Sequence, residues 1–187
     1  MSLTAKKFTR VSAADYLAAD NDGTWRHEFV NGAVFAMAGT SDRHNLISGA
    51  FFVKLATKVK APSQAFMADM KVHTKSNEDE RFYYPDVFVS CGEADRAPYY
   101  RETPVLIVEV LSPTTERIDR TEKYEAYKAI PTLMEYVLVS QDAVELELFR
   151  RRTNWEREHY VFDNVVTLES VDLSFSVSTL FEQVTFS

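Results

Sequence analysis

One glutamate inside an apolar run constrains this chain more than any other feature. Val105, Leu106, Ile107 and Val108 precede Glu109, and Val110 and Leu111 follow it. Such a run reads as a strand buried on both faces, the kind found in a sheet covered by helices. An ionised carboxylate there is costly unless it is paired, metal-bound or protonated, because its hydration is lost. Asp86 repeats the anomaly in the segment FYYPDVFV, where period-two alternation sets Phe82, Tyr84, Asp86 and Phe88 on one strand face. If the two strands are neighbours, the carboxylates converge. Hard oxygen ligands of this kind suit Mg²⁺ or Mn²⁺, with waters completing the octahedron.

The rest of the chain supplies a frame for such strands. Ser12 is placed to cap a short helix ending near Asn21-Asp22-Gly23, and Asn31-Gly32 is a strong signal for a two-residue hairpin turn, with Glu28 on its first strand. Leu46, Phe51, Phe52, Leu55 and Val59 follow helical spacing from Asp42 to Lys58, with Ser41 or Asp42 as cap. Strands are expected near 65–73, 82–90 and 104–111, with polar loops at 75–80 and 91–103. A helix starts at Ser112-Pro113 and ends near Ala129. LMEYVLVS, VELELFRR and WEREHYVF then suggest a return strand and a meander, and a last short helix is expected over 177–182. This order predicts one domain over 1–187 in the α/β (α+β) class, with helices covering a mixed sheet.

The third candidate is Lys123, since Asp119, Lys123 and Tyr127 recur at spacing four and share one helix face. A lysine there could orient an attacking water or neutralise charge on a phosphate. The same spacing is also that of a surface Asp–Lys helix pair worth a few tenths of a kcal/mol. His44, at the start of the long helix, has the options of contacting substrate or hydrogen-bonding locally. Arg150-Arg151-Arg152 could track phosphates or form a solvated surface run, and Asp69-x-Lys71 reads as a strand-end charge pair. His27, His73 and His159 show no zinc-site spacing, no Gly-rich phosphate loop argues for a nucleotide cofactor, and the single Cys91 is assigned no role. A net charge of −7 weighs against a polyanionic partner unless basic residues gather on one face. The N-terminus lacks the apolar stretch of a signal peptide and no run reaches the roughly 18 residues of a membrane span, so a cytoplasmic protein without membrane attachment is expected.

In combination, PDVFV, IVEVLSPTTERIDRTEKYEAY and EYVLV, with HEFVNGAVFAMAG and Arg43-His44 upstream, resemble the family catalogued as "putative restriction endonuclease", formerly a domain of unknown function. The similarity covers roughly residues 8–160. It implies the PD-(D/E)xK nuclease superfamily and a restriction endonuclease-like core, a mixed sheet flanked by helices with an N-terminal hairpin and a β-rich C-terminal extension. By resemblance, Asp86, Glu109 and the Val110 backbone carbonyl hold Mg²⁺ or Mn²⁺, Glu28 supplies an additional acid, and His44 and Tyr127 contact substrate. The lysine usually found two residues after the acid is absent, because the sequence reads Glu109-Val110-Leu111, and Lys123 on the following helix occupies the place of a displaced lysine. The implied function is a DNA endonuclease acting as a homodimer. The alternatives are a non-catalytic binding or assembly protein on the same scaffold, or hydrolysis of a small phosphoester.

Overall fold

Ser12 opens the first helix by accepting the Asp15 backbone N–H on its Oγ at 3.1 Å, and α1 runs over Ala13–Asp20. Its expected end near residues 21–23 lies outside the described residues, which are 10–20, 26–37, 39–76, 79–93 and 95–186 of this computed structural model. Asn31 and Gly32, at φ 50° and 88°, turn the hairpin between β1 (His27–Val30) and β2 (Ala33–Ala36). Helix α2 (Asp42–Lys58) is capped by Ser41, whose Oγ accepts the His44 N–H at 3.1 Å, and it buries Ile47, Phe51 and Leu55.

The next stretch departs from the sequence expectation. The strand expected over 65–73 is two strands, β3 (Gln64–Met67) and β4 (Lys71–Ser76), parted by a turn in which Ala68 takes φ 56°. The strand expected over 82–90 also divides, into β5 (Asp79–Tyr83) and β6 (Val87–Ser90). Pro85 lies in that break, and a proline has no N–H to give to a ladder. Asp86 therefore does not continue the face of Phe82 and Tyr84 but sits in the gap between strands. The polar stretch 75–80 is largely taken up by β4 and β5, which pair antiparallel, and the expected loop 91–103 contains the short β7 (Tyr100–Arg101).

β8 (Pro104–Leu111) falls where expected, and α3 follows as one helical run through Glu116–Ile118, Asp119–Lys123 and Tyr124–Lys128. Its middle five residues form a widened π-type turn. The antiparallel strands β9 (Glu135–Ser140), β10 (Glu145–Arg150) and β11 (Arg157–Val161) make the expected meander. A hairpin of β12 (Val165–Leu168) and β13 (Leu173–Ser176) was not foreseen, and a 3₁₀ turn over Val177–Leu180 stands in place of the expected last helix.

The strands form a five-stranded sheet in the order β2-β1-β5-β4-β7 and a six-stranded sheet in the order β11-β10-β9-β8-β6-β3. β8 and β9 are parallel, with α3 as the crossover between them, while β6 runs antiparallel to β8. On one face of the larger sheet, Leu106, Val108 and Val110 share a core with Ile47, Phe51 and Leu55 of α2 and Phe175 of the last hairpin. On the other face, Ile107 and Leu111 pack with Ala126, Tyr127, Ile130 and Tyr136. Alternation puts Glu109 on this second face, between Ile107 and Leu111. A leucine buried there would contribute about 1.5–3 kcal/mol, so the carboxylate costs stability that its charge must offset.

Candidate active site

Five segments deliver side chains to one end of the larger sheet: β1, the first turn of α2, the break before β6, β8 and the π-type turn of α3. Asp86 and Glu109 are tied to each other through the backbone. The Asp86 N–H donates to Glu109 Oε2 at 3.3 Å, and the Val110 N–H donates to Asp86 Oδ2 at 2.7 Å. His44 Nε2 lies 3.2 Å from the same Asp86 oxygen, so one oxygen of this carboxylate is committed to protein partners. Val110 thus enters the site through its N–H.

Lys123 Nζ stands 3.1 Å from Glu109 Oε1, 3.1 Å from Glu28 Oε1 and 3.2 Å from Asp119 Oδ1. Tyr127 Oη donates to Glu109 Oε1 at 3.0 Å. Glu28 also accepts the Tyr84 N–H at 3.4 Å, which ties the first hairpin to the segment carrying Asp86. The π-type turn turns both Asp119 and Lys123 into the protein, where both are buried. Turns of this type recur at functional sites because the extra residue redirects side chains that a regular helix would space evenly.

The charges in this cluster do not balance. Four carboxylates, Glu28, Asp86, Glu109 and Asp119, face the ammonium of Lys123 together with the His44 ring. Burial, followed by the neighbouring Asp119, Asp86 and Glu28, raises the Glu109 pKa well above the usual carboxylate range despite the opposing pull of Lys123. Asp119 is raised for the same first reason, again against Lys123. Burial alone would lower the Lys123 pKa, but Glu109, Glu28 and Asp119 more than offset it, and the side chain is held firmly as a cation. A further positive charge beside Asp86 and Glu109 would relieve this excess. Among the described residues no three His, Cys, Asp or Glu side chains form a ready ligand set. Asp86 and Glu109 are hard oxygen donors, the ligand class that divalent ions of the Mg²⁺ type take.

Two expected substrate contacts have different surroundings in the structure. Tyr127 is fully buried between Tyr83 and Tyr136, and its hydroxyl donates to Glu109. His44 is buried as well and reaches Asp86. Asp119 was noted in the sequence only as a neighbour of Lys123 on one helix face. A charge at spacing four from a lysine is the commonest surface pattern, so burial is the signal that singles it out, and burial is not visible in the spacing.

Other charged features are consumed by the fold. Asp69 and Lys71 do not pair with each other: Asp69 meets Arg26 at 3.1 Å on the surface, while Lys71 is buried against Asp20 at 2.8 Å. Tyr84 Oη donates to that Asp20 at 2.5 Å, which anchors the residue two positions before Asp86. The arginine run lines one surface cavity together with Met134, Glu135 and Glu169. Arg150 is buried against Glu135 and Glu158, Arg151 donates to the carbonyls of Leu133, Ile130 and Lys128, and Arg152 forms a two-point contact with Glu169.

Residues 13–179 match the Uma2 family, described as "Putative restriction endonuclease". The chain belongs to this family. An uncharacterized protein of Synechocystis sp. is 31% identical over 187 residues, covering 96% of this chain and 95% of its own, and a second from the same organism is 30% identical over 145 residues, covering 75% and 81%. The crystal structure of a "putative nuclease belonging to DUF820" from Anabaena variabilis superposes with a TM-score of 0.71 at 18% identity, covering 85% of this chain and 91% of that one. At that identity the likeness speaks for the fold, which is the restriction endonuclease-like one. Membership in Uma2 supports a nuclease-type function. Among the described residues no helix is long and apolar enough to cross a membrane.

Proposed function

We propose that this Uma2 protein is a Mg²⁺- or Mn²⁺-dependent endodeoxyribonuclease, with Asp86 and Glu109 holding the ion, Glu28 assisting and Lys123 acting beside them. The observation that carries this is the convergence of three carboxylates and one buried lysine from distant parts of the chain. Bound there, the ion supplies positive charge against a phosphate oxygen and acidifies a water molecule. The Val110 N–H and His44 engage Asp86 Oδ2, and the carboxylate's other oxygen would be the one to hold the ion. Tyr127 and Lys123 fix the direction of Glu109. The Lys123 ammonium offers a fixed positive charge near where a phosphodiester accumulates negative charge during in-line displacement. The Val110 carbonyl is a further candidate oxygen for the ion.

DNA as substrate and a homodimer belong to the same proposal, because cutting both strands of a duplex is readily served by two sites related by a two-fold axis. Incubation of labelled duplex oligonucleotides with Mg²⁺, Mn²⁺ or EDTA tests it. Cleavage with either metal, abolished by EDTA and by Asp86→Ala, is the expected result, and cleavage that survives both sinks it.

A non-catalytic scaffold is the competing reading, and the acidic net charge of −7 with the arginine run engaged by carboxylates and carbonyls of the protein favours it. Titration calorimetry separates the two. A nuclease site binds Mn²⁺ and loses the ion in Glu109→Ala, whereas a scaffold without the site gives no heat in either.

A further inference from the structure

We propose that Asp119 is a positioning residue for Lys123, holding the ammonium between the metal-side carboxylates and the helix; its catalytic consequence rests on the nuclease function proposed above. Asp119 is buried, and its Oδ1 lies 3.2 Å from Lys123 Nζ, with the Thr115 side chain as a second partner of the carboxylate. An exposed helix pair of this spacing contributes a few tenths of a kcal/mol, whereas a buried carboxylate depends on its partners to offset lost hydration. The ion pair that Asp119 makes is with Lys123, so its charge bears on that ammonium.

The backbone of Asp119 is fixed from both directions. Its N–H donates to the Thr115 carbonyl at 2.9 Å, and its own carbonyl accepts Tyr136 Oη at 3.0 Å. Lys123, in contrast, reaches the site on a flexible four-carbon stem whose rotamers cost entropy to order. Glu28 and Glu109 attract Nζ from the sheet side and Asp119 from the helix side. Without Asp119 the ammonium keeps Glu109 and Glu28 but loses the contact that ties it to its own helix. With it, Nζ stays at a defined point between the three.

Asp119→Asn keeps the shape and removes the charge, and two independent measurements read the effect in the full-length chain. The first is the Lys123 ammonium resonance in ¹⁵N-edited NMR, assigned by its disappearance in Lys123→Met. It is expected to shift and lose rigidity in Asp119→Asn while the thermal melt shows a folded protein, and to return toward the wild-type position in Asp119→Glu. An unchanged resonance in a folded Asp119→Asn overturns the proposal. The second is DNA cleavage: Asp119→Asn lowers kcat by about 10–100-fold with KM nearly unchanged, and has no added effect in a Lys123→Met background. Losses that multiply in the double variant show that Asp119 does not act through Lys123. A wild-type protein that cuts nothing contradicts the nuclease function, while the NMR result still decides the positioning role.

Discussion

Lys123 is the cation that buried Glu109 and Asp119 and half-buried Glu28 share, so its removal tests the electrostatics of the site directly. Taking away one partner of a buried ion pair typically costs about 3–5 kcal/mol. Lys123→Met is expected to lose stability of that order in urea denaturation, and an unchanged midpoint contradicts the ion-pair arrangement. Tyr127→Phe removes one buried donor to Glu109 and should cost about 1 kcal/mol, with a smaller loss of cleavage than Asp86→Ala. At this scale Asp86 and Glu109 stood out in the sequence because a carboxylate within apolar neighbours is anomalous wherever the strand lies. Asp119 did not, because its neighbours are polar and only the fold buries it. His44 was visible as a helix-start histidine, yet its partner Asp86 is 42 positions away and nothing local names it.

Elements were legible where their signal is local. The Asn31-Gly32 turn, the Ser41-capped α2 and the apolar β8 each carry their cause within a few residues. The divided strands were not, because two short strands that leave one sheet and enter another keep the apolar-rich pattern of a single long strand. Pro85 was the available clue, and it marks the place where Asp86 leaves the ladder for the site. The β12–β13 hairpin was missed since it carries none of the strong turn dipeptides. The cap of α2 bears on the site through His44. Ser41→Ala should cost about 1 kcal/mol in urea denaturation, and a loss of stability close to zero would mean that the backbone amide finds another acceptor.

At the scale of the molecule, the site lies where the two sheets meet: β5 of one sheet runs into β6 of the other through Tyr84, Pro85 and Asp86. The class of fold was readable from the order of elements and from the family resemblance, but the partition into two sheets is a long-range property of pairing that no window of sequence contains. Buried charge recurs elsewhere in the molecule, with Asp20–Lys71 behind the site and Glu135–Arg150 beneath the C-terminal hairpin. At the site, Glu28, Glu109 and Asp119 share one ammonium, with Asp86 beside them. Excess negative charge therefore predicts that Mn²⁺ raises the melting temperature of the wild type, by about 2.7 kcal/mol of added stability at one hundred times Kd, and leaves Glu109→Gln unmoved. Equal shifts in both proteins would place the ion elsewhere.

The most direct measurement is the initial rate of supercoiled plasmid conversion as a function of Mn²⁺ concentration, for the wild type, Asp86→Asn, Glu109→Gln and Lys123→Met side by side. A metal-dependent nuclease built on this site predicts a saturable rise in rate for the wild type and rates near background for all three variants. Cleavage by the variants at the wild-type rate, or a wild type whose rate does not depend on Mn²⁺, would contradict it.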